Sequence, residues 1–302
     1  MGGFPDPQAS KPGFTTGYEI VGEVLDLGHS VPKESKLSVG DRVVSMCAYG
    51  GHATHIVLPY NDLIAIKRTD DPVKIAALPL NYMTAWGLLK HSGVDLPPGS
   101  SILIGSASGG VGTAVAQLVA AFKMDIKMLG TCSPSKFDYV RSLGVEPVDR
   151  NASDLVEQVR TLTNGTGVDV AYDGVCSEET VKNFLAATKA ETGKLVVFGL
   201  MGEIADDGSK MLDGAYETFK KRLQQPRTSF FGLSKDFHQE SDLADFNAVV
   251  DKVRSGELEP IIAKLLPLSK GVEAHQMLVD GTAVRGKMLF VVDAELAAKL
   301  GV

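Results

Sequence analysis

Eight consecutive positions, Gly105-Ser106-Ala107-Ser108-Gly109-Gly110-Val111-Gly112, are all small except one, and they lie between two strongly apolar segments. Before them runs Ser101-Ile102-Leu103-Ile104, and after them the amphipathic stretch 113–122. A flexible linker does not usually join two such elements. Small residues are needed there when backbone must pass close to a ligand, where side chains would be in the way. The first N–H groups of a helix have no partner within it and carry the positive end of its dipole, so the ligand expected at this place is a phosphate. An ATP-type phosphate loop requires Lys after Gly110, and Val111 stands there. The dinucleotide fingerprint fits as Ala107-x-Gly109-x-x-Gly112, with Ala in place of the first glycine. Its required context, a strand before and a helix after, is present.

The 302 residues allow two domains of ordinary size, and 44% hydrophobic with 22% charged residues describes a soluble globular protein. A net charge of −7, with no basic cluster longer than Lys220-Lys221-Arg222, argues against nucleic acid or an anionic membrane as partner. No uninterrupted apolar run reaches the roughly 18 residues of a membrane span. The N-terminal stretch has neither the basic leader nor the apolar core of a signal peptide. Three scattered cysteines, Cys47, Cys132 and Cys176, form no disulfide framework and suit a reducing compartment. A cytoplasmic protein is the expectation.

From about residue 100 to 235 apolar strands alternate with helices. After the small-residue loop and its helix come the strand "IKMLGT", a helix opened by Ser133-Pro134 and closed at Gly144, and the helix "DLVEQVRTLT" stopped at Asn164-Gly165. "VDVAYD", a helix from Ser177 to about Ala190, and "KLVVFG" complete a second βαβ unit. This alternation predicts an α/β fold, a doubly wound parallel sheet with ligand at the carboxyl ends of its strands. Residues before about 80 read instead as short strands ("YEIVGEVLDLG", "DRVVSM", "HATHIVLP", "LIAI") of a small β-barrel-like domain. The tail returns to that style, with "KLLPL", a helix through Val272–Leu278, and the strand "GKMLFVV". The predicted domains are therefore 1–82 with 236–302, and 83–235 inserted between them.

The segments "TTGYEIVGEV", "VGDRVV", "GGHATHIVLP", "ALPLNYMTAW", "ILIGSASGGVGTAVAQL", "GTGVDVAYDGV" and "GKLVVFG" occur in this order. In that order and across nearly all of 14–293 the chain resembles the medium-chain dehydrogenase/reductase superfamily, and within it the zinc-free quinone oxidoreductases of zeta-crystallin type. The resemblance implies a Rossmann domain (83–235), a partial GroES-like catalytic domain, and NADPH-dependent hydride transfer to a quinone or an activated C=C bond. It also implies that relatives carry a further N-terminal segment holding much of the catalytic domain. The expectation is thus a chain that binds NADPH yet turns over slowly, with apolar surface uncovered in its catalytic domain. Two rivals are a 2-enoyl thioester reductase, which would want basic residues for a carrier phosphate, and a non-catalytic NADPH-binding sensor or interaction protein.

Zinc-dependent members of the superfamily carry Gly-His-Glu where this chain has Gly17-Tyr18-Glu19, and a phenol replaces the imidazole ligand. The four clustered cysteines of a structural zinc lobe are absent too. His52 and His55, three apart on an expected strand, face opposite sides and cannot chelate one ion; surface or loop positions are their simpler reading. No metal is expected. An NAD site places an acid about 20 residues after the glycines to bind the ribose 2′-hydroxyl. Here the strand ends Gly130-Thr131-Cys132-Ser133, with Lys136 one turn on and no acid before Asp138. A carboxylate about 5 Å from a 2′-phosphate would cost about 3 kcal/mol per unit charge at an effective dielectric near 20, whereas Lys136 and the Ser133 hydroxyl attract it. Arg150, at the next strand end where relatives often have Tyr, is a second phosphate partner; ordinary solvated charges are the alternative reading of both cations. NADPH is the expected cofactor, with Ser108, Gly109, Gly110, Val111, Gly112, Thr131 and Ser133 around its phosphates.

The resemblance further implies that Asn81, Thr84, Gly199 and Phe231-Gly232-Leu233 line the cofactor and that Lys287 lies near its pyrophosphate. Gly199 has a warrant of its own, since a glycine at the carboxyl end of a strand lets backbone approach a ligand. Helix capping is an equal reading of Asn81 and Thr84, and Tyr82, Trp86 and Phe231 read more simply as core. Tyr18 and Tyr49 are the candidate proton donors, with a structural role the simpler alternative for each. A homodimer is expected through the apolar, β-prone edge segment Thr228–Leu233.

Overall fold

A computed structural model describes residues 13–47, 49–205, 211–233, 240–280 and 284–302. The described residues divide into two compact units, one spanning Thr84–Gly232 and the other taking those before Thr84 and those from Leu233 onward.

The first unit is built on six parallel strands. In chain order they are β4 (Ser100–Ile104), β5 (Ile126–Cys132), β6 (Glu146–Asp149), β7 (Val170–Asp173), β8 (Lys194–Val197) and β9 (Thr228–Phe230). Their order across the sheet is β6-β5-β4-β7-β8-β9, which is the arrangement of the doubly wound dinucleotide fold. Helices α3 (Gly110–Ala121), α4 (Phe137–Ser142), α5 (Leu155–Leu162), α6 (Glu178–Ala187) and α7 (Ala215–Leu223) connect them. β4 is buried at all five positions, as a central parallel strand covered on both faces must be. Leu103, Leu129, Val148, Val159, Phe184 and Leu195 from strands and helices form one core on one side of the sheet.

Local chemistry sets the boundaries. Ser177 opens α6 with a capping box: its hydroxyl accepts from the Thr180 N–H at 3.0 Å, and Thr180 Oγ1 accepts from the Ser177 N–H. α5 ends at Asn164 and Gly165, both in the left-handed region (φ 54° and 84°), a conformation that glycine adopts freely. The end of β7 is tied to α2 (Met83–Lys90) by the Tyr172 hydroxyl, which donates to the Leu88 carbonyl at 2.8 Å.

The second unit holds an antiparallel three-stranded sheet, β1 (Glu19–Glu23), β2 (Arg42–Met46) and β3 (Ile64–Ala65), and a parallel pair, β10 (Ile262–Pro267) and β11 (Lys287–Val291). Helices α1 (Pro72–Ala76), α8 (Glu240–Arg254), α9 (Gly271–Val279) and α10 (Ala294–Leu300) complete it. A wide π-helical turn, Leu78–Tyr82, leads into α2. The strand expected at His52–Pro59 does not form. The N–H groups of Gly50, Gly51 and His52 bond to Thr15, Gly17 and Thr16, and beyond that the segment is irregular, with Val57 97% exposed. Its β-propensity is not realised because among the described residues no strand edge pairs with it. Among the described residues no helix is long and apolar enough to cross a membrane.

A two-point ion pair ties α8 to the loop before α1. Arg254 Nε and Nη2 donate to the two Asp70 carboxylate oxygens at 2.9 and 2.8 Å, while Asp70 is buried and also accepts the Lys67 N–H. The Arg254 hydrogen bonds, foremost among the causes, hold the Asp70 carboxyl below its ordinary value of 3.8. Removing one partner of a buried pair strands the other, so Arg254→Ala should cost about 3 kcal/mol, measured by urea unfolding. Because folded Asp70 binds fewer protons than unfolded, its contribution is complete above pH 3.8 and is lost as pH falls through the lower folded value. That acid-dependent loss should be missing from Arg254→Ala.

Candidate functional site

The small-residue stretch forms the turn from β4 into α3, at the point where the sheet order reverses. Gly109 stands at the N-cap with extended backbone and no side-chain cap. The Gly109 N–H is held by the Ser106 carbonyl at 2.8 Å and the Thr113 N–H by Gly109. The N–H groups of Ser108, Gly110, Val111 and Gly112 have no partner among the described residues. These are the orphan donors of a helix start, gathered at its positive end.

Close packing places them. A Cβ on Gly112 would lie 2.6 Å from the Ala107 Cα and the Ser106 carbonyl oxygen, so only hydrogen fits. Ala107 replaces the fingerprint's first glycine, and its methyl is accommodated on the neighbouring strand. A Cβ on Gly130 would come within 2.4 Å of the Ala107 Cβ. Thr131 holds the loop from the same strand, its hydroxyl accepting the Ser106 N–H at 3.3 Å and its carbonyl the Ala107 N–H at 2.9 Å. Its side chain is thereby committed to the loop. Ser106 itself sits at φ 55°.

Past the carboxyl end of β5, the Ser133 hydroxyl caps no helix and has only Ser135 Oγ at 3.5 Å. Lys136 follows in a short 3-10 turn, and Arg150 lies just after β6, its N–H donating to the Cys132 carbonyl at 3.0 Å. Burial raises the Cys132 thiol, and the charges of Lys136, Arg150 and Arg141 pull it back, opposed by Asp149. Both expected cations therefore act on the same Cys132 thiol at the carboxyl end of β5. Arg141 is engaged by Asp138 and Glu146, whereas Lys136 and Arg150 have no ion-pair partner among the described residues.

At the ends of β7 and β8, Gly174 and Gly199 touch. A Cβ on Gly199 would be 2.5 Å from the Gly174 carbonyl oxygen. Phe231, whose N–H donates to the Val197 carbonyl, lays its ring on Gly87 of α2, where a Cβ would meet the ring at 2.1 Å. Its face is thus used in packing; Gly232 is exposed and Leu233 half-buried. Thr84 is buried in α2.

In the second unit, Lys287 forms an ion pair with the buried carboxylate of Glu19, whose other oxygen accepts the Leu80 N–H in the π-helical turn at 2.8 Å. The side chain of Asn81, in the same turn, caps no helix and has no hydrogen-bond partner among the described residues. Glu19 is the residue that the sequence reading missed; only its place beside Tyr18, in the motif compared with Gly-His-Glu, signalled it. Tyr18 and Tyr49 are 41% and 44% exposed, and burial of the Tyr18 ring raises its phenol. His55 is exposed and bonded to Thr54. His52 is half-buried, within 2.7 Å of Thr16 Oγ1 and edge-on to Phe290, at one wall of a cavity of about 480 Å³ that His275 and Gln276 also line. Among the described residues no three His, Cys, Asp or Glu side chains gather as a metal site.

With this geometry in view, comparison with known proteins places the chain. Residues 110–245 match the zinc-binding dehydrogenase family. A quinone oxidoreductase-like protein 2 homolog of Nematostella vectensis is 31% identical over 88% of this chain and 70% of its own length. A synaptic vesicle membrane protein VAT-1 homolog of Danio rerio is 28% identical over 94% of this chain, which spans 59% of that relative. The solved structure of Escherichia coli quinone oxidoreductase complexed with NADPH matches in fold, with TM-score 0.77 and 22% identity over 96% of this chain and 85% of that one. The chain belongs to the medium-chain dehydrogenase/reductase superfamily, in its quinone oxidoreductase branch.

Two outcomes test the packing and electrostatics. Gly130→Ala should cost about 1–3 kcal/mol by overpacking against Ala107, and Ala107→Gly in the same chain should recover part of it, read as thermal midpoints of the four proteins. Burial first, then the charges of His275 and Lys287, lowers the His52 imidazole from 6.5 to about 4. Folded His52 therefore binds fewer protons than unfolded between these values. Its contribution to stability is complete above pH 6.5 and falls as pH is lowered toward about 4. Imidazole NMR resonances of His52 should stay those of the neutral ring at pH 5.5.

Proposed function

We propose that this chain is an NADPH-dependent, zinc-independent oxidoreductase whose acceptor is a quinone or an activated C=C bond. The observation that carries the reading is the pairing of two features on one sheet edge. Orphan amides of Gly110, Val111 and Gly112 stand at the start of α3, and the unpaired cations Lys136 and Arg150 stand at the ends of β5 and β6. The amides suit a pyrophosphate. The cations, with the Ser133 hydroxyl, suit a 2′-phosphate, which NADH lacks. Bound there, NADPH supplies the hydride, and the protein supplies orientation and a shielded surface. Family membership and the NADPH complex of the E. coli fold relative support the assignment.

Residues outside the phosphate cradle have narrower roles in this reading. Gly174 and Gly199 let backbone lie against the dinucleotide at the carboxyl edge. Thr131 keeps the glycine loop in place. A reduced quinone or alkene needs a proton as well as the hydride, and Tyr18 and Tyr49 are the proposed donors. β9 ends the sheet with Phe230 49% exposed, which supports pairing of two copies through Thr228–Leu233.

NADPH should bind about tenfold or more tightly than NADH, the equivalent of about 1.4 kcal/mol from a single charge-assisted contact. Lys136→Glu should abolish that preference while leaving the melting temperature of the apo-protein nearly unchanged. Fluorescence titration with both cofactors decides it, and equal affinity in the unmutated protein contradicts the assignment. Steady-state NADPH oxidation should proceed with a quinone or an enone in preference to an enoyl thioester.

A further inference from the structure

Asp173 ends β7 fully buried, and three donors converge on its carboxylate. The Val175 N–H reaches Oδ1 at 2.8 Å, and the Cys176 N–H and the Thr180 hydroxyl reach Oδ2 at 3.1 and 2.7 Å. The loop so gathered holds Cys176 in the left-handed region at φ 56° with its side chain buried. That conformation is costly for a residue with a Cβ and persists only where surroundings impose it. A second fastening comes from α7. Arg222 donates to the Cys176 carbonyl at 2.6 Å and pairs with the buried carboxylate of Glu203. Backbone bonds stitch the two strand-end loops together: Phe198 N–H to the Asp173 carbonyl at 2.9 Å, Gly202 N–H to the Val175 carbonyl at 2.7 Å, and Met201 N–H to the Gly174 carbonyl at 3.3 Å.

Within this latch the N–H groups of Gly174 and Gly199 are left without partners among the described residues. Both glycines face the carboxyl edge, the side on which ligands of such sheets bind. Both residues are half-buried, so these two N–H groups stand open at the carboxyl edge where a ligand of the sheet can take them. Sheet order says which part of the ligand. Lys136 and Arg150 stand beyond β5 and β6, the glycine loop beyond β4, and Gly174 and Gly199 beyond β7 and β8. At about 4.8 Å per strand, β5 and β8 are about 14 Å apart. A dinucleotide with its 2′-phosphate over β5 and β6 therefore lays its other half over β7 and β8.

We infer that Asp173 is a positioning residue for the nicotinamide half of the cofactor, acting through the Gly174–Cys176 loop and the Gly199 backbone it holds. The inference rests on the NADPH reading above. Its probe pair is NADPH and 2′,5′-ADP, the latter keeping the 2′-phosphate and lacking the nicotinamide half. Asp173→Asn replaces one acceptor oxygen by an NH₂ that faces the Cys176 N–H. It should weaken NADPH about tenfold and leave 2′,5′-ADP within about twofold, as the loss of a hydrogen bond to a buried carboxylate would.

Thr180→Val, which removes a single donor, should shift NADPH affinity in the same direction by less, and Thr180→Ser should restore it. If Asp173→Asn does not fold, the Thr180 pair decides. Equal weakening of both ligands would mark Asp173 as a structural residue only, and unchanged NADPH affinity in folded variants would likewise overturn the inference. If the unmutated protein binds no 2′,5′-ADP, the NADPH reading itself fails, and Asp173 loses its assigned ligand with it.

Discussion

Everything at the candidate site depends on how closely α3 can approach the end of β4. Gly112 lies where any Cβ would overlap the backbone of Ser106 and Ala107, and this contact fixes the helix start against the sheet. The orphan amides of Gly110, Val111 and Gly112 then converge in one place instead of fraying into solvent. The same constraint reaches the neighbouring strand. Ala107 can stand where a glycine would be expected because Gly130 gives up its own side chain. Thr131 secures the loop by two hydrogen bonds from that strand. A candidate site for phosphate thus emerges from packing before any charged residue is considered, and in the proposed function Lys136 and Arg150 are the residues that would select for an extra phosphate.

Much of this was legible in the sequence, and the limits of that reading have physical causes. Alternation of apolar runs with amphipathic segments marked β4, β5, β7 and β8 and helices α3 to α6, because buried parallel strands and covering helices leave different periodicities. Ser177 and Asn164-Gly165 announced helix ends through their own chemistry. The segment His52–Pro59 misled, since an apolar run shows β-propensity but not whether a partner edge exists. Long-range polar pairs were invisible for a similar reason. Nothing local says that Glu19 will meet Lys287, 268 positions away, or that Arg254 will meet Asp70, 184 positions back.

The residues named for the cofactor divide accordingly. The N–H groups of Ser108, Gly110, Val111 and Gly112 and the charges of Lys136 and Arg150 are used by nothing in the described chain. The Ser133 hydroxyl has only Ser135 Oγ at 3.5 Å, and the Gly109 N–H is taken by the Ser106 carbonyl. Thr131 and Phe231 already have structural engagements, one with the glycine loop and the other with Gly87. Lys287 is likewise paired with Glu19. Composition identifies residue types suited to a ligand, but only packing shows whether their polar groups are free. Gly174 illustrates the reverse case, a residue assigned no site role from the sequence whose free N–H becomes apparent only beside Gly199.

The central claim is that the unpaired cations beyond β5 and β6 meet a 2′-phosphate. Phosphorus NMR of bound NADPH tests it directly, since a phosphate monoester in water takes up its second proton near pH 6. Lys136 and Arg150 should hold the bound group as a dianion, so its resonance should not titrate until well below pH 6. A 2′-phosphate that titrates on the protein as it does free in solution would contradict the account.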